Sequence, residues 1–301
     1  MNDVTFLLIN AITVAAIYGL IAVAVSITWS SLGLINLAYG FIFSFAGYAS
    51  WLVAGNVAKQ YLPTELQPAA IATVGILAGA IAGIIVCLIV FIPLHDKPAF
   101  TSRGMIATLA ISLIGSQLFL MAFGPNSKSL PELFGRGKVK IADLTITADK
   151  IGIIVCSLAM LTIVVSWMKS SRRGLEIRAM MMNPHAASIV GIGIRRTGIY
   201  VLGLTGAMAG LASVLLSQTY YIAPFSGLTP LIKGVSIALL GGLGSVQGAV
   251  IGAILLGIVE ALTNKFLGGQ YVLMTQFMFI ILVLIVRPRG ISGLLDKARE
   301  Q

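Results

Sequence analysis

Charge is scarce in this chain: 10% of its 301 residues are Asp, Glu, Lys or Arg, and only 10 of them are acidic. A soluble domain of this length carries about a quarter charged residues. No soluble core could hide the 58% of residues that are hydrophobic, with mean hydropathy +1.00, so the solvent of the fold is lipid. Only two cysteines occur, Cys87 and Cys156, both within apolar runs. That placement argues against a structural disulfide or a metal site. Two histidines, His95 and His185, lack metal-ligand spacing to any Cys or acid, and no catalytic constellation is present. A Gly-x-x-x-x-Gly-Lys-Ser/Thr phosphate loop is also missing, so ATP is not bound here by that route. The N-terminus, Met-Asn-Asp-Val-Thr, has no positive n-region, and the apolar run after it exceeds an h-region, so it reads as a first retained span.

What is present is a series of long apolar runs, the mark of an all-α polytopic membrane helix bundle. A β-barrel would show short alternating segments instead. Spans are expected near 5–29, 34–54, 69–94, 104–124, 151–168, 198–221, 246–264 and 271–286, with a shorter apolar piece at 230–243. The whole chain, 1–301, reads as a single transmembrane domain. Its net charge of +10 lies in the loops between runs, the pattern of positive-inside topology and lipid headgroups rather than of nucleic-acid binding.

Residues 169–197 hold Lys169, Arg172, Arg173, Arg178, Arg195 and Arg196 against one acid, Glu176, and are assigned to the cytoplasm. The tail, with Arg287, Arg289, Lys297 and Arg299, belongs on the same side. An even number of crossings must connect the two, so 230–243 crosses as well. That gives nine spans, against eight without it, and an external N-terminus. Loop 125–150 then lies outside, its five basic residues diluted by Glu132, Asp143 and Asp149.

Two crossings are interrupted near glycines, at 34–41 and 239–248, and their positions in the two halves suggest a degenerate inverted repeat. Unwound backbone at such breaks is where transporters place their sites. Gly75, Gly79 and Gly83, Gly244, Gly248 and Gly252, and the pair Gly206 and Gly210 follow four-residue spacing, which clears one helix face for close packing. Glu260 is the only carboxylate within an apolar run. It serves either a substrate path or an ion pair with Lys233, which the topology puts near the same level. Asn10, Asn36, Gln117, Gln218, Gln247 and Gln276 suit interhelical hydrogen bonds; Asn36, beside Gly33 and Gly40, stands out as a path candidate.

The basic island 172–196 is helix-prone over 175–182, broken by Asn183-Pro184, and restarts over 185–190 until Gly191. Two short helices presenting Met180–Met182 would form a docking knob; a connector lying on headgroups is the alternative. The residues Gly174-Leu-x-x-Arg178-Ala179-x-x-x-Asn183-x-x-Ala186-Ala187-x-x-x-Gly191-Ile192 resemble the cytoplasmic signature of the branched-chain amino acid permease family of ABC importers. Asn36-x-Ala38-x-Gly40, Gly241-Gly242-x-Gly244-Ser245-x-x-Gly248-Ala249, Glu260-Ala261 and Arg287-Pro288-x-Gly290-Ile291 extend the match along the chain, and its length fits the smaller permease subunit.

The resemblance implies a translocation subunit in the bacterial cytoplasmic (inner) membrane, with ATP-Mg bound and hydrolysed on partner ATPases and no cofactor in this chain. Implied partners are two ATP-binding cassette subunits, a second homologous permease subunit, an extracytoplasmic substrate-binding protein and membrane lipid. Arg178, Ala179, Asn183, Pro184, Ala187, Gly191 and Ile192 would couple to the ATPase. Asn36, Ala38, Tyr39, Gly40, Phe41, Gly242, Gly244 and Glu260 would line the substrate path. The family commonly has histidine and an acidic residue where this chain has Tyr39 and Phe41. Branched-chain amino acids are therefore one expectation, beside urea, amides, sugars or nucleosides, or a stand-alone secondary carrier or channel. Reporter fusions at residues 136, 185 and 295 should read outside, inside and inside; a cytoplasmic signal at 136 would overturn this topology.

Overall fold

In hydrocarbon every backbone N–H and C=O must find its partner within the protein, which restricts a chain of this composition to helices packed on helices. The computed structural model describes residues 2–55, 63, 65–135, 137–141, 144–288 and 290–292. Most of loop 55–68, the fusion sites at 136 and 295, and the basic tail residues Arg289, Lys297 and Arg299 lie outside the described residues.

In chain order the elements are α1 (Asn2–Leu32), α2 (Tyr39–Val53), α3 (Gln67–Val86) and α4 (Phe100–Phe123). A π segment, Cys87–Phe91, continues α3 into a final turn, Ile92–Leu94. After α4 come a short antiparallel hairpin, β1 (Lys138–Ile141) with β2 (Leu144–Thr147), and α5 (Ala148–Ser170). The remaining helices are α6 (Arg172–Met182), α7 (Pro184–Ile189), α8 (Ile194–Leu216), α9 (Leu228–Gly241), α10 (Val246–Phe266) and, after a 3-10 turn, α11 (Val272–Val286). Among the described residues seven helices are long and apolar enough to cross a membrane, and α2 and α9 are shorter apolar helices. The hairpin lies in what the sequence reads as plain loop.

The crossings expected at 34–54 and 230–243 rest on short helices, α2 and α9, each preceded by irregular chain. At about 1.5 Å per residue, α2 and α9 reach only about 22 Å, short of the roughly 30 Å hydrocarbon layer. Residues 33–38 complete one crossing and 217–227 the other. Their freed backbone groups are met by side chains: Leu37 N–H donates to Thr108 Oγ1 at 3.1 Å, Ala38 N–H to Asn36 Oδ1 at 3.0 Å, and Thr101 Oγ1 to the Gly33 carbonyl at 3.2 Å. In the second segment Lys128 and Ile222 exchange two backbone bonds of 2.8 Å, and Ser44 Oγ donates to the Pro224 carbonyl at 3.3 Å. The two segments meet where α2 and α9 begin. A β-carbon on Gly227 would collide with the Gly40 carbonyl, so the backbones touch only because residue 227 is glycine; a β-carbon on Gly40 would instead strike the Ser112 hydroxyl.

The same economy of side chain builds the tightest helix pair. α3 and α8 run antiparallel with Gly75, Gly79 and Gly83 facing Gly206 and Gly210. A β-carbon on Gly79 would strike the Gly206 carbonyl and sit 2.8 Å from the Gly210 Cα; one on Gly206 would strike the Gly79 carbonyl. Close backbone approach of this kind drives association in lipid, where apolar side chains gain nothing by leaving the solvent. α1 packs along α10 in the corresponding way, Gly257 lying against Ala11 and Ala15. α2 packs on α3 and α8 as α9 packs on α10 and α1. Helices α1–α4 thus correspond to α8–α11, and because the end of α1 and the start of α8 share one end of the bundle, the repeat is inverted.

That end gathers residue 33, the Asp96–Arg195 pair, α6, α7, the α9–α10 turn and residues 290–292, of which Ile291 and Ser292 donate their amides to the Leu240 and Gly241 carbonyls. It carries Lys97, Arg103, Lys169, Arg172, Arg173, Arg178, Arg195, Arg196 and Arg287 and is cytoplasmic by the positive-inside rule. The hairpin, Lys150 on Asn10 and Lys128 on Ile222 lie at the other end, as the parity of crossings requires.

Gly79→Val should lower stability by about 2 kcal/mol, in the range of overpacked interiors, whereas Gly193→Ala, whose added β-carbon meets nothing closer than 3.7 Å, should leave it unchanged. Thermal melting of detergent-solubilised protein followed by size-exclusion checks both.

Candidate functional site: two external cavities and a cytoplasmic helix pair

A lysine in the second turn of α9 and the glutamate of α10 meet inside the bundle. Lys233 Nζ lies 2.8 and 2.9 Å from the two oxygens of Glu260, and the side chains are 6% and 4% exposed. Gln276 Nε2 of α11 donates to Glu260 Oε2 at 2.7 Å. Lys233 also sits over the Tyr18 ring, 4.6 Å from its centroid, and donates to the Tyr18 hydroxyl at 3.4 Å. The ion pair that the sequence allows between Glu260 and Lys233 is therefore formed. Removing one partner of such a pair leaves a buried charge uncompensated and costs about 3–5 kcal/mol, whereas replacing both by apolar groups is often neutral.

Two cavities open beside the pair on the external half. The first, of about 520 Å³, is lined by Asn10, Thr13, Tyr18, Tyr220, Glu260 and Lys265 among others. The second, of about 270 Å³, is lined by Lys233, Tyr18, Phe43, Ser226 and Thr229 among others. Of the eight residues the sequence assigns to a path, Glu260 lines the first cavity and the other seven line neither.

Asn36, Ala38 and Tyr39 are fully buried, and the Tyr39 hydroxyl is held by Thr28 Oγ1 at 2.6 Å. Gly40 is pressed against Ser112 and Gly227. Phe41 stacks on Phe119 in an aromatic column with Phe45 and Tyr48. Gly242 and Gly244 form the cytoplasmic turn between α9 and α10, where Gly242 touches Gly290 and Gly244 lies beside Ser30. The structure thus distributes the eight over three levels: a sealed middle, an inner turn and an outer ion pair. Sequence reasoning missed Tyr18, although a phenol in the otherwise apolar stretch Ala-Ala-Ile-Tyr-Gly-Leu was a legible signal.

At the cytoplasmic end α6 begins at Ser171, whose Oγ accepts from the Gly174 amide at 2.9 Å. Asn183 ends α6 and starts α7, its Oδ1 accepting from the Ala186 amide at 3.0 Å while Pro184 occupies the first helical position. Ala187 is buried, and its carbonyl accepts from the Ile192 amide at 3.1 Å just past Gly191. Arg178 Nη2 donates to the Lys169 carbonyl at 3.1 Å, tying α6 to the end of α5; the next residue, Ala179, packs partly against the core.

The expected Met180–Met182 knob is corrected. Met180 and Ile177 are fully buried in the main core and Met181 is half-buried, because the stripe at i and i+3 faces the bundle. The exposed apolar surface consists instead of Leu175, Met182, Ile189 and Val190.

Beside this face, burial between Phe91 and Phe100 holds the His95 imidazole below its ordinary value, with Asp96 opposing and Arg195 adding to the shift. The Arg195 hydrogen bond holds the Asp96 carboxyl below the usual carboxylate range. Among the described residues no cluster of His, Cys, Asp or Glu is placed to hold a metal, and Cys87 and Cys156 are free.

Residues 7–286 match the family described as branched-chain amino acid transport system / permease component. The chain is 32% identical over 297 residues to the high-affinity branched-chain amino acid transport system permease protein LivH of Escherichia coli K12, with 94% of each chain covered. It is 27% identical to the corresponding protein BraD of Pseudomonas aeruginosa, over 95% of this chain and 94% of that one. A guanosine ABC transporter permease protein, NupP of Bacillus subtilis, is 36% identical over 112 residues, 36% of this chain. With the external cavities, the inverted repeat and the cytoplasmic helix pair in place, these likenesses close the question of kinship: the chain belongs to the permease-component family of branched-chain amino acid transport systems.

Proposed function

We propose that this chain is the membrane-spanning permease subunit of an ATP-driven (ABC) importer for branched-chain or related amino acids in the bacterial cytoplasmic (inner) membrane. The observation that carries the reading is similarity along 94% of the chain to relatives named for branched-chain amino acid transport. Likeness to nucleoside permeases covers only part of the chain, and the sole intramembrane carboxylate is neutralised by Lys233, which leaves a stand-alone carrier without a coupling charge.

In this reading α6 and α7 dock on one of two ATP-binding subunits, which hold ATP-Mg. A second homologous permease subunit faces this one across the path, and an extracytoplasmic binding protein delivers the substrate to the external cavities. The apolar surface of Leu175, Met182, Ile189 and Val190 supplies the contact, and the turn at Asn183-Pro184 fixes its shape. Ile177 and Met180 root α6 in the core, so displacement of α6 by the closing ATPase dimer is passed to the bundle as a rigid-body motion. In the resting arrangement the segment Asn36–Phe41, packed on Gly227, seals the path, and the Gly242–Gly244 turn adjoins its inner end.

Ile189→Glu with Val190→Glu changes only exposed side chains. Co-purification of the ATPase should fall at least tenfold while the permease still elutes as a folded species. An ATPase retained at the unsubstituted level would sink the assignment of α6–α7, and uptake by the purified chain alone in liposomes would sink the ABC reading.

A further inference from the structure

Among the described residues, Lys233–Glu260 is the one ion pair whose two side chains are both less than a tenth exposed; the others lie at the surface. Its position is unusual as well. Glu260 lines the first cavity and Lys233 the second, while Tyr18, Leu216 and Tyr220 line both. The pair therefore stands in the partition between two external compartments rather than in the apolar packing around α3 and α8.

A buried ion pair stabilises little over an apolar pair of similar volume, and intramembrane charges mark transport routes more often than packing. This pair also has the composition of a ligand. A free amino acid carries one ammonium and one carboxylate, the same two groups that meet here.

Resting on the amino acid reading above, we infer that Lys233 and Glu260 form a recognition site for the zwitterionic head group of the substrate, the substrate carboxylate replacing Glu260 on Lys233 and its ammonium replacing Lys233 on Glu260. The exchange converts one internal pair into two intermolecular ones and leaves the buried region neutral before, during and after binding. Gln276, bonded to Glu260 Oε2, holds the carboxylate in place when Lys233 turns away. Tyr18 offers Lys233 a ring face and a hydroxyl in both arrangements. Leu7, Val14, Ile17 and Leu216, on the wall of the first cavity, supply an apolar surface for an aliphatic side chain. A ligand with only one of the two charges would leave a buried partner uncompensated, so the site rejects net cations and net anions of the same shape.

The test uses the complete importer, with its ATPases, second permease and binding protein, in proteoliposomes. Lys233→Met with Glu260→Met removes both charges together and keeps the region neutral. Leucine uptake per assembled complex should fall at least tenfold; uptake within twofold of the unsubstituted complex overturns the inference.

Should that variant fail to assemble, Thr219→Cys reports on the intact pair, because Thr219 is exposed on the wall of the first cavity. Leucine at millimolar concentration should slow labelling of this cysteine by a small external thiol reagent at least threefold. Leucine methyl ester, which lacks the carboxylate, and 4-methyl-2-oxopentanoate, which lacks the ammonium, should not. No protection by leucine, or equal protection by either analogue, refutes the head-group site. If the unsubstituted importer accumulates no leucine, the amino acid reading itself fails; if it does accumulate leucine and the analogues protect equally, only the site fails.

Discussion

The absence of water from the bilayer core governs this structure more than any single contact. A backbone amide that leaves a helix there must find a protein acceptor or lose several kcal/mol. Residues 33–38 and 217–227 leave the helical form within the bundle, and both do so where α4, α2 or the 128 segment provides an acceptor or donor. Because these irregular stretches are long, α2 and α9 can be short. Because the short helices start at the same level, Gly40 and Gly227 must be close enough to touch. The inverted arrangement of α1–α4 and α8–α11 follows as one solution used twice.

Rigidity is distributed to suit transport. Around Gly79, Gly206 and Gly210 the α3–α8 seam sets backbone directly against backbone, which makes it the tightest helix contact of the fold. α6 is anchored by Ile177 and Met180 rather than lying loose on headgroups. A push at the cytoplasmic face therefore reaches α1, α5 and α8, on which α6 packs. The external half holds two cavities and the polar partition between them.

Much of this was legible in the residues. Apolar run length marked the long helices, charge parity put 125–150 and 169–197 at opposite ends, and glycine spacing marked the α3–α8 seam. Asn183-Pro184 marked the break between α6 and α7, and the isolation of Glu260 pointed to Lys233. What failed depended on direction or on partners distant in sequence. A run of three methionines does not show which one faces inward; the stripe through Ile177 decides it. The irregular start of the crossing at 34–54 depends on Thr101 and Thr108 of α4, far along the chain. The cavities draw on α1, α5, α8 and α10 at once, and no local pattern encodes such a convergence. The repeat was visible only as matching breaks, because packing preserves the size of a residue at a seam and not its identity.

The meeting of α2 and α9 at Gly40 and Gly227 has an electrical consequence. Both helices present their N-termini at that point, and each N-terminus carries the equivalent of about half a positive charge from its unpaired amides. Two such ends within a low-dielectric interior form a local barrier against cations. That barrier is supplied by backbone alone, through two helix ends that a glycine contact lets approach each other.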